Sequence, residues 1–185
     1  MTTEFRSAFA EAVKKNEQGK PILLVMAGIP ASGKSSVLAQ NRELLDSAGF
    51  AILEAKTFQK ELWKQDQGER RLLFCDPLYR EYYERAEKEA EAAALWLLGK
   101  GENVVLDSTY NRKTRRRKIY ASAAKAGAFV AVCFCRASYD TAMARNVMRG
   151  NDAVLQGRLY SMSHSVQYPD GSSEGEWDAV IDICP

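Results

Sequence analysis

The chain has one histidine, His164, in 185 residues. Zinc sites built from several imidazoles are therefore excluded, and any Ser/His/Asp triad would depend on that single ring. Its four cysteines form no Cys-x-x-Cys pair and no disulfide-dense framework, so they read as reduced thiols. Cys133 and Cys135 fall in the apolar run Phe129–Cys135, where i and i+2 share one face of a strand, and buried strand thiols are the expectation there. No apolar run approaches the length of a membrane span, and Met1–Ser7 contains no apolar core of a leader peptide, so no membrane partner and a cytoplasmic location are expected. Net charge is also scarce, at +2, which by itself gives no sign of a polyanionic partner.

What remains is the composition of a folding domain: 46% hydrophobic, 10% aromatic and 27% charged residues in a length that suits one domain, taken as 1–185. Phe5, Phe9, Ala12 and Val13 recur at helical spacing, predicting an N-terminal helical extension within 1–19. Pro21–Ala27, Phe50–Leu53, Asn103–Asp107, Phe129–Cys135 and Trp177–Ile183 have strand length and strand composition. Helical patterns separate them: Ser35–Ala48 closed by Gly49, two stretches broken around Gln65–Gly68, Arg112–Ala126 closed by Gly127, then Ser138–Arg149 and Leu155–Met162. Within Pro77–Leu98, the residues Leu78, Tyr82, Ala86, Ala90, Ala93, Ala94 and Leu97 form the expected buried stripe, and its many charges read as a solvated face. Strands alternating with helices imply an α/β three-layer fold around a five-stranded parallel sheet.

Gly28-Ile29-Pro30-Ala31-Ser32-Gly33-Lys34-Ser35 matches the Gly-x-x-x-x-Gly-Lys-Ser/Thr pattern, and it lies after an apolar strand and opens a helix. A loop of this kind turns backbone N–H groups toward a di- or triphosphate, and its glycines permit close approach. Gly28 to Ser36 are the candidate nucleotide-binding residues, with Lys34 on the terminal phosphates and the Ser35 hydroxyl on Mg²⁺. Asp107 ends a strand on the edge where α/β sheets bind ligands, so it serves the metal or the substrate unless it merely caps the following turn. Arg145 and Arg149, spaced i,i+4, fall on one helix face as a clamp for a transferring phosphoryl group or as part of a solvated surface.

Together with Val104-Val105-Leu106-Asp107-Ser108-Thr109-Tyr110-Asn111, Arg145 to Gly150, and a tail running from Pro169 to Val180, these pieces resemble the P-loop kinase family typified by the polynucleotide 5′-hydroxyl kinase domain. That family takes in zeta-toxin-like proteins and AAA-type small ATP-dependent phosphotransferases. The resemblance covers about Pro21 to Ile183. It implies ATP and Mg²⁺ as cofactors, a lid over 138–168 whose arginines are Arg145 and Arg149, and transfer of the γ-phosphate to a hydroxyl. In such kinases an Asp-x-x-Arg pattern after the second strand activates the acceptor. Here Lys56 stands at the base position and Gln59 at the arginine position. An ammonium does not accept a proton near neutrality unless its pKa is strongly depressed. Glu54, two residues earlier, is the first replacement; a transfer that leans on positioning and charge without a base is the second; nucleotide binding without transfer to an alcohol is the third.

The small net charge conceals an uneven distribution. Residues 111–149 hold ten basic residues against Asp140 alone, while 150–185 hold one basic and six acidic. Arg112, Lys113, Arg115, Arg116, Arg117 and Lys118 would line a groove for an RNA or DNA 5′ end, with Tyr110 to stack a base. The alternatives are a solvated helix face and pairing with the acidic tail in cis.

Overall fold

The computed structural model describes residues 2–168 and 175–184. Five parallel strands form one sheet: β1 (Ile22–Ala27), β2 (Phe50–Glu54), β3 (Asn103–Asp107), β4 (Phe129–Cys135) and β5 (Ala179–Ile183), in the order β2-β3-β1-β4-β5. Every residue of β1 and of β4 is buried, as expected for strands covered on both faces. The register aligns Glu54 with Asp107 and Asp107 with Met26, so the carboxyl ends of β2, β3 and β1 finish at one level.

Alternation along β1 divides the core. Ile22, Leu24 and Met26 pack with α1 (Thr2–Lys14), α2 (Lys34–Gln40) and α3 (Arg42–Ser47). Leu23, Val25 and Ala27 pack with α5 (Tyr79–Gly99) and α6 (Lys113–Lys125). In α1, Phe5 and Phe9 stack with centroids 5.6 Å apart, and Phe9 meets Phe50 edge-on; Val13 turns outward instead of joining them.

The single helix expected over Ser35–Ala48 is two helices, interrupted at Asn41. The buried Asn41 amide donates to the Val37 carbonyl at 2.8 Å and accepts from Arg6 Nε, a side-chain competition with the backbone that ends α2. On α5 the buried residues are Tyr82, Ala86, Ala90, Ala94 and Leu98, a strict i,i+4 row. Leu78, Ala93 and Leu97 are not among them, and small side chains let this long helix lie close to the sheet. Ahead of it, α4 (Ala55–Gln67) starts directly from β2 and packs Trp63 edge-on against Tyr82.

The last strand begins at Ala179 rather than at Trp177. Trp177 enters the core, and the Asp178 carboxylate accepts from the Val130 amide at 2.7 Å where a ladder bond would otherwise run. Between β4 and β5, α7 (Tyr139–Val147), a 3₁₀ turn (Gly150–Asp152) and α8 (Gln156–Ser165) lie over the loop after β1, joined to it through Ile29, Ala31, Ala142, Val154 and Leu159. His164 stays on the exposed side of α8 against Tyr160. Among the described residues no helix is long and apolar enough to cross a membrane.

Candidate active site

The loop Gly28–Gly33 holds its shape through residues with unusual backbone angles. Gly28 has φ 135°, and a Cβ there would stand 2.5 Å from the Cys135 carbonyl oxygen, so only glycine fits against the end of β4. Ala31 adopts a left-handed φ of 61°, and Gly33 follows at 104° immediately before α2. The Lys34 ammonium lies inside the loop and donates to the carbonyls of Gly28 and Ile29 at 2.9 and 3.0 Å. Burial lowers its pKa, with the neighbouring Asp107 carboxylate opposing that shift. The Ser32 hydroxyl is fully buried with no protein partner, an orphan polar atom in the position a bound phosphate would satisfy.

Asp107 faces this loop. Its Oδ2 accepts from Ser35 Oγ at 3.5 Å, and its pKa is raised by burial and by the Glu54 carboxylate against the pull of Lys34. The Asp107 carboxylate and the Ser35 hydroxyl are hard oxygen donors, and the negative charge that Glu54 adds beside them suits Mg²⁺. The fit needs phosphate oxygens as further ligands, because no group of three His, Cys, Asp or Glu able to hold a metal occurs among the described residues.

Lys34, Ser35, Glu54, Lys56, Asp107, and Arg149 line one cleft of 190 Å³ that also takes in Pro30 and Ala31. Arg145 Nη1 donates to the Ser32 carbonyl at 3.4 Å. Gly33, Ser36, Arg145 and Arg149 line an adjoining pocket on the outer side of the loop. Arg149 is therefore common to both spaces. It follows the last residue of α7 by two positions, yet its backbone remains helical, which preserves the i,i+4 relation to Arg145.

Residues 23–168 match the model of the AAA_33 family, described as an AAA domain. The chain belongs to the AAA_33 family. A putative kinase from Chloroflexus aurantiacus superposes with TM-score 0.65 at 17% identity, covering 89% of this chain and 85% of that one. Chaetomium thermophilum Kti12 in complex with ADP-AlF3 gives 0.65 at 18%, covering 88% of each chain. The Pnkp1/Rnl/Hen1 RNA repair complex gives 0.62 at 20% over 84% of this chain but 47% of that one, so this chain spans about half of that neighbour. Comparison with the curated proteins yields no match. At these identities the structural neighbours establish the fold, that of P-loop kinases, and the family match accords with nucleotide binding.

Several expected residues of this AAA_33 chain sit elsewhere. Arg116 is fully buried: Nε donates to Glu176 Oε2 at 2.9 Å, and its other nitrogens donate to the carbonyls of Tyr110 and Gln167. It cannot contact a nucleic acid and instead realises the pairing of the basic segment with the acidic tail. Arg115 turns onto Glu87 and Glu91 of α5. Tyr110 is buried too, its hydroxyl on Glu91 and its face under Arg115, so it has no free face for a base. Glu87 and Glu91 thus depart from the solvated face expected of α5. Arg112, Lys113, Arg117 and Lys118 are not buried, and Arg112 lines a groove of 540 Å³ beside Thr109 and Arg158. The tail piece Pro169–Glu174 falls outside the described residues.

Lys56 and Glu54 do not share a strand face, because β2 ends at Glu54 and Lys56 is in the first turn of α4; both nevertheless reach the cleft. Gln59 is buried and donates to the Tyr79 carbonyl at 3.2 Å, fastening α4 to the start of α5. Three participants, Arg158, Tyr83 and Asp152, have no sequence signal ahead of the fold. Arg158 of α8 reaches the cleft and lies over the Phe74 ring at 5.1 Å. Ser108 Oγ donates to Glu87 at 2.6 Å with the Tyr83 hydroxyl 3.0 Å away, where burial and Glu87 hold the phenol up at about 12. Asp152 pairs with Lys56.

Proposed function

We propose that this AAA_33 protein is an ATP- and Mg²⁺-dependent phosphotransferase that moves the γ-phosphate to a hydroxyl acceptor. The observation that carries the reading is convergence: the P-loop lysine and serine, two carboxylates from neighbouring strand ends, and a lid arginine line one cleft. In this reading the loop amides and Lys34 hold the β- and γ-phosphates, with Ser32 and Ser36 close to them. Ser35 and Asp107 would hold Mg²⁺, which when bound neutralises phosphate charge as transfer proceeds. Arg145 and Arg149 spread positive charge over the transferring group from the lid. Glu54 takes the acceptor proton as the new O–P bond forms and the bond to the ADP oxygen breaks. Its placement opposite Asp107 favours this over Lys56, whose ammonium is already engaged with Asp152.

A nucleic-acid 5′ end remains within the acceptor class, supported by the likeness to the RNA repair complex and by Arg112 at the groove. The competing reading, nucleotide binding without transfer, draws on the cation at the expected base position. Incubation with γ-labelled ATP, Mg²⁺ and a panel of 5′-hydroxyl RNA, DNA and small alcohols separates them. Label on an acceptor, lost in Lys34→Ala and reduced at least tenfold in Glu54→Gln, supports transfer; bound ATP with no labelled acceptor supports the competitor.

A further inference from the structure

A second groove opens off the cleft, 370 Å³ in volume, between α4 and the segment 68–74. It shares Lys56, Phe74, Tyr79 and Asp152 with the cleft, so it opens onto the space lined by Lys34, Ser35 and Glu54. Its charge is one-sided. Lys64 and Arg70 are taken by Glu69 and Asp76 at 2.8 and 2.5 Å. Lys56 and Arg71, in contrast, share a single carboxylate brought by the lid, and Lys60 lines the same groove. Asp152 Oδ2 lies 3.7 Å from Lys56 Nζ, and Oδ1 lies 3.3 Å from Arg71 Nη2. Lys56 above all holds the Asp152 carboxyl below its ordinary range; burial opposes it, and Arg71 and then Lys60 add to the pull.

Two cations on one carboxylate and a third lining the same groove leave a surplus that another anion would satisfy better. The partners in both ion pairs are more than half exposed, so the pairs contribute little stability and yield easily to a ligand with more charge. A phosphate offers up to two negative charges and three acceptor oxygens where Asp152 offers one charge and two oxygens. Beside the cations, Phe74 packs on Tyr79 with centroids 4.4 Å apart, giving the groove one firm apolar wall.

We infer that the acceptor carries a phosphate group of its own, seated among Lys56, Lys60 and Arg71 in place of the Asp152 carboxylate, with its free hydroxyl directed toward Glu54. The inference rests on the phosphotransferase reading and deepens it. It also gives Lys56 a task suited to an ammonium: holding the acceptor's anion instead of removing its proton. The shared chemistry, a hydroxyl near a phosphate ester, occurs both in small phosphorylated alcohols and at the 5′ end of an oligonucleotide.

The anion site is tested first without turnover. With the P-loop saturated by Mg²⁺ and a non-hydrolysable ATP analogue, inorganic phosphate is titrated calorimetrically. One phosphate per chain is expected, with binding weakened at least tenfold in Lys60→Ala and in Arg71→Ala while the analogue's own affinity stays within twofold in those two variants, and with phosphate binding tightened severalfold in Asp152→Asn. No phosphate binding, or equal binding in all variants, overturns the inference. Transfer from ATP is then compared within two pairs: glycerol against glycerol 3-phosphate, and a nucleoside against a 5′-hydroxyl dinucleotide. A tenfold or greater preference for the phosphorylated member of the first pair marks a small acceptor, and of the second a nucleic-acid end; equal rates within both pairs contradict the inference. Phosphate binding as expected with no transfer to any compound overturns the phosphotransferase reading, and the acceptor assignment with it, while the anion site stands.

Discussion

Asp107 illustrates how one residue is placed for chemistry at a cost to the fold. Its carboxyl is buried beside Glu54, and its pKa is raised even with Lys34 nearby. A carboxyl more easily protonated in the native state than in the unfolded one subtracts from stability once ionised, so the penalty is absent below the ordinary value of 3.8 and grows as pH rises through the raised native value. Asp107→Asn should therefore raise the melting temperature of the ligand-free protein at pH 7, with the gain vanishing below pH 3.8, and should abolish the extra stabilisation that Mg²⁺ adds to ATP. Thermal unfolding across pH with and without Mg²⁺–ATP checks both; an unchanged or lower melting temperature at pH 7 contradicts this account of the site. The residues of the P-loop were legible in the sequence because the motif is local, its eight positions adjacent in the chain. The contact between Arg71 and Asp152 was not, since those residues are 81 positions apart and meet only in the folded chain.

At the scale of elements, strands could be read more closely than helices. The bounds of β3 and β4 agree with their apolar runs, because strands buried on both faces leave an unbroken hydrophobic signal. Helix faces were read less well where charge pointed inward. Arg116 looked like one of several surface cations in a basic run, yet it ties α6 to the segment ahead of β5 through Glu176, with both side chains fully buried. No local pattern distinguishes it from Arg117, because its partner is 60 residues away. Arg116→Met leaves Glu176 buried and short of its main counterion, and should destabilise the protein by about 3–5 kcal/mol, whereas adding Glu176→Leu should recover a large part of that loss. Urea denaturation of the single and double variants measures the difference; equal stability of the two would show that the pair is not the tie. On α5, Ala90 and Ala94 are fully buried against the sheet, while Ala86 packs with Leu62 and Trp63 of α4. Ala90→Leu should cost about 1–3 kcal/mol through overpacking, read by the same denaturation.

For the whole molecule, the alternation of strands and helices was enough to anticipate the α/β class and the five-stranded parallel sheet, but not which basic residues would face a ligand. The net charge of +2 is the sum of segments of opposite sign, and the fold partly cancels them by docking the acidic end on the basic helix. The cationic surplus that remains near the P-loop is instead on α4 and the segment after it, where the sequence drew attention to Lys56 alone because Lys60 and Arg71 are interleaved with Glu61, Asp66 and Glu69. The segment from α7 to the 3₁₀ turn crosses between these regions, setting Arg145 and Arg149 beside the loop and Asp152 into the second groove.

If this arrangement stabilises a phosphoryl group in flight, aluminium fluoride will change the binding of ADP with Mg²⁺, a comparison for which no acceptor needs to be known. A site complementary to the transition state should bind the fluoride complex at least about 100-fold more tightly than ADP alone, with that increment lost in Arg149→Ala while ADP affinity changes little. An affinity for ADP that aluminium fluoride leaves unchanged would contradict the claim.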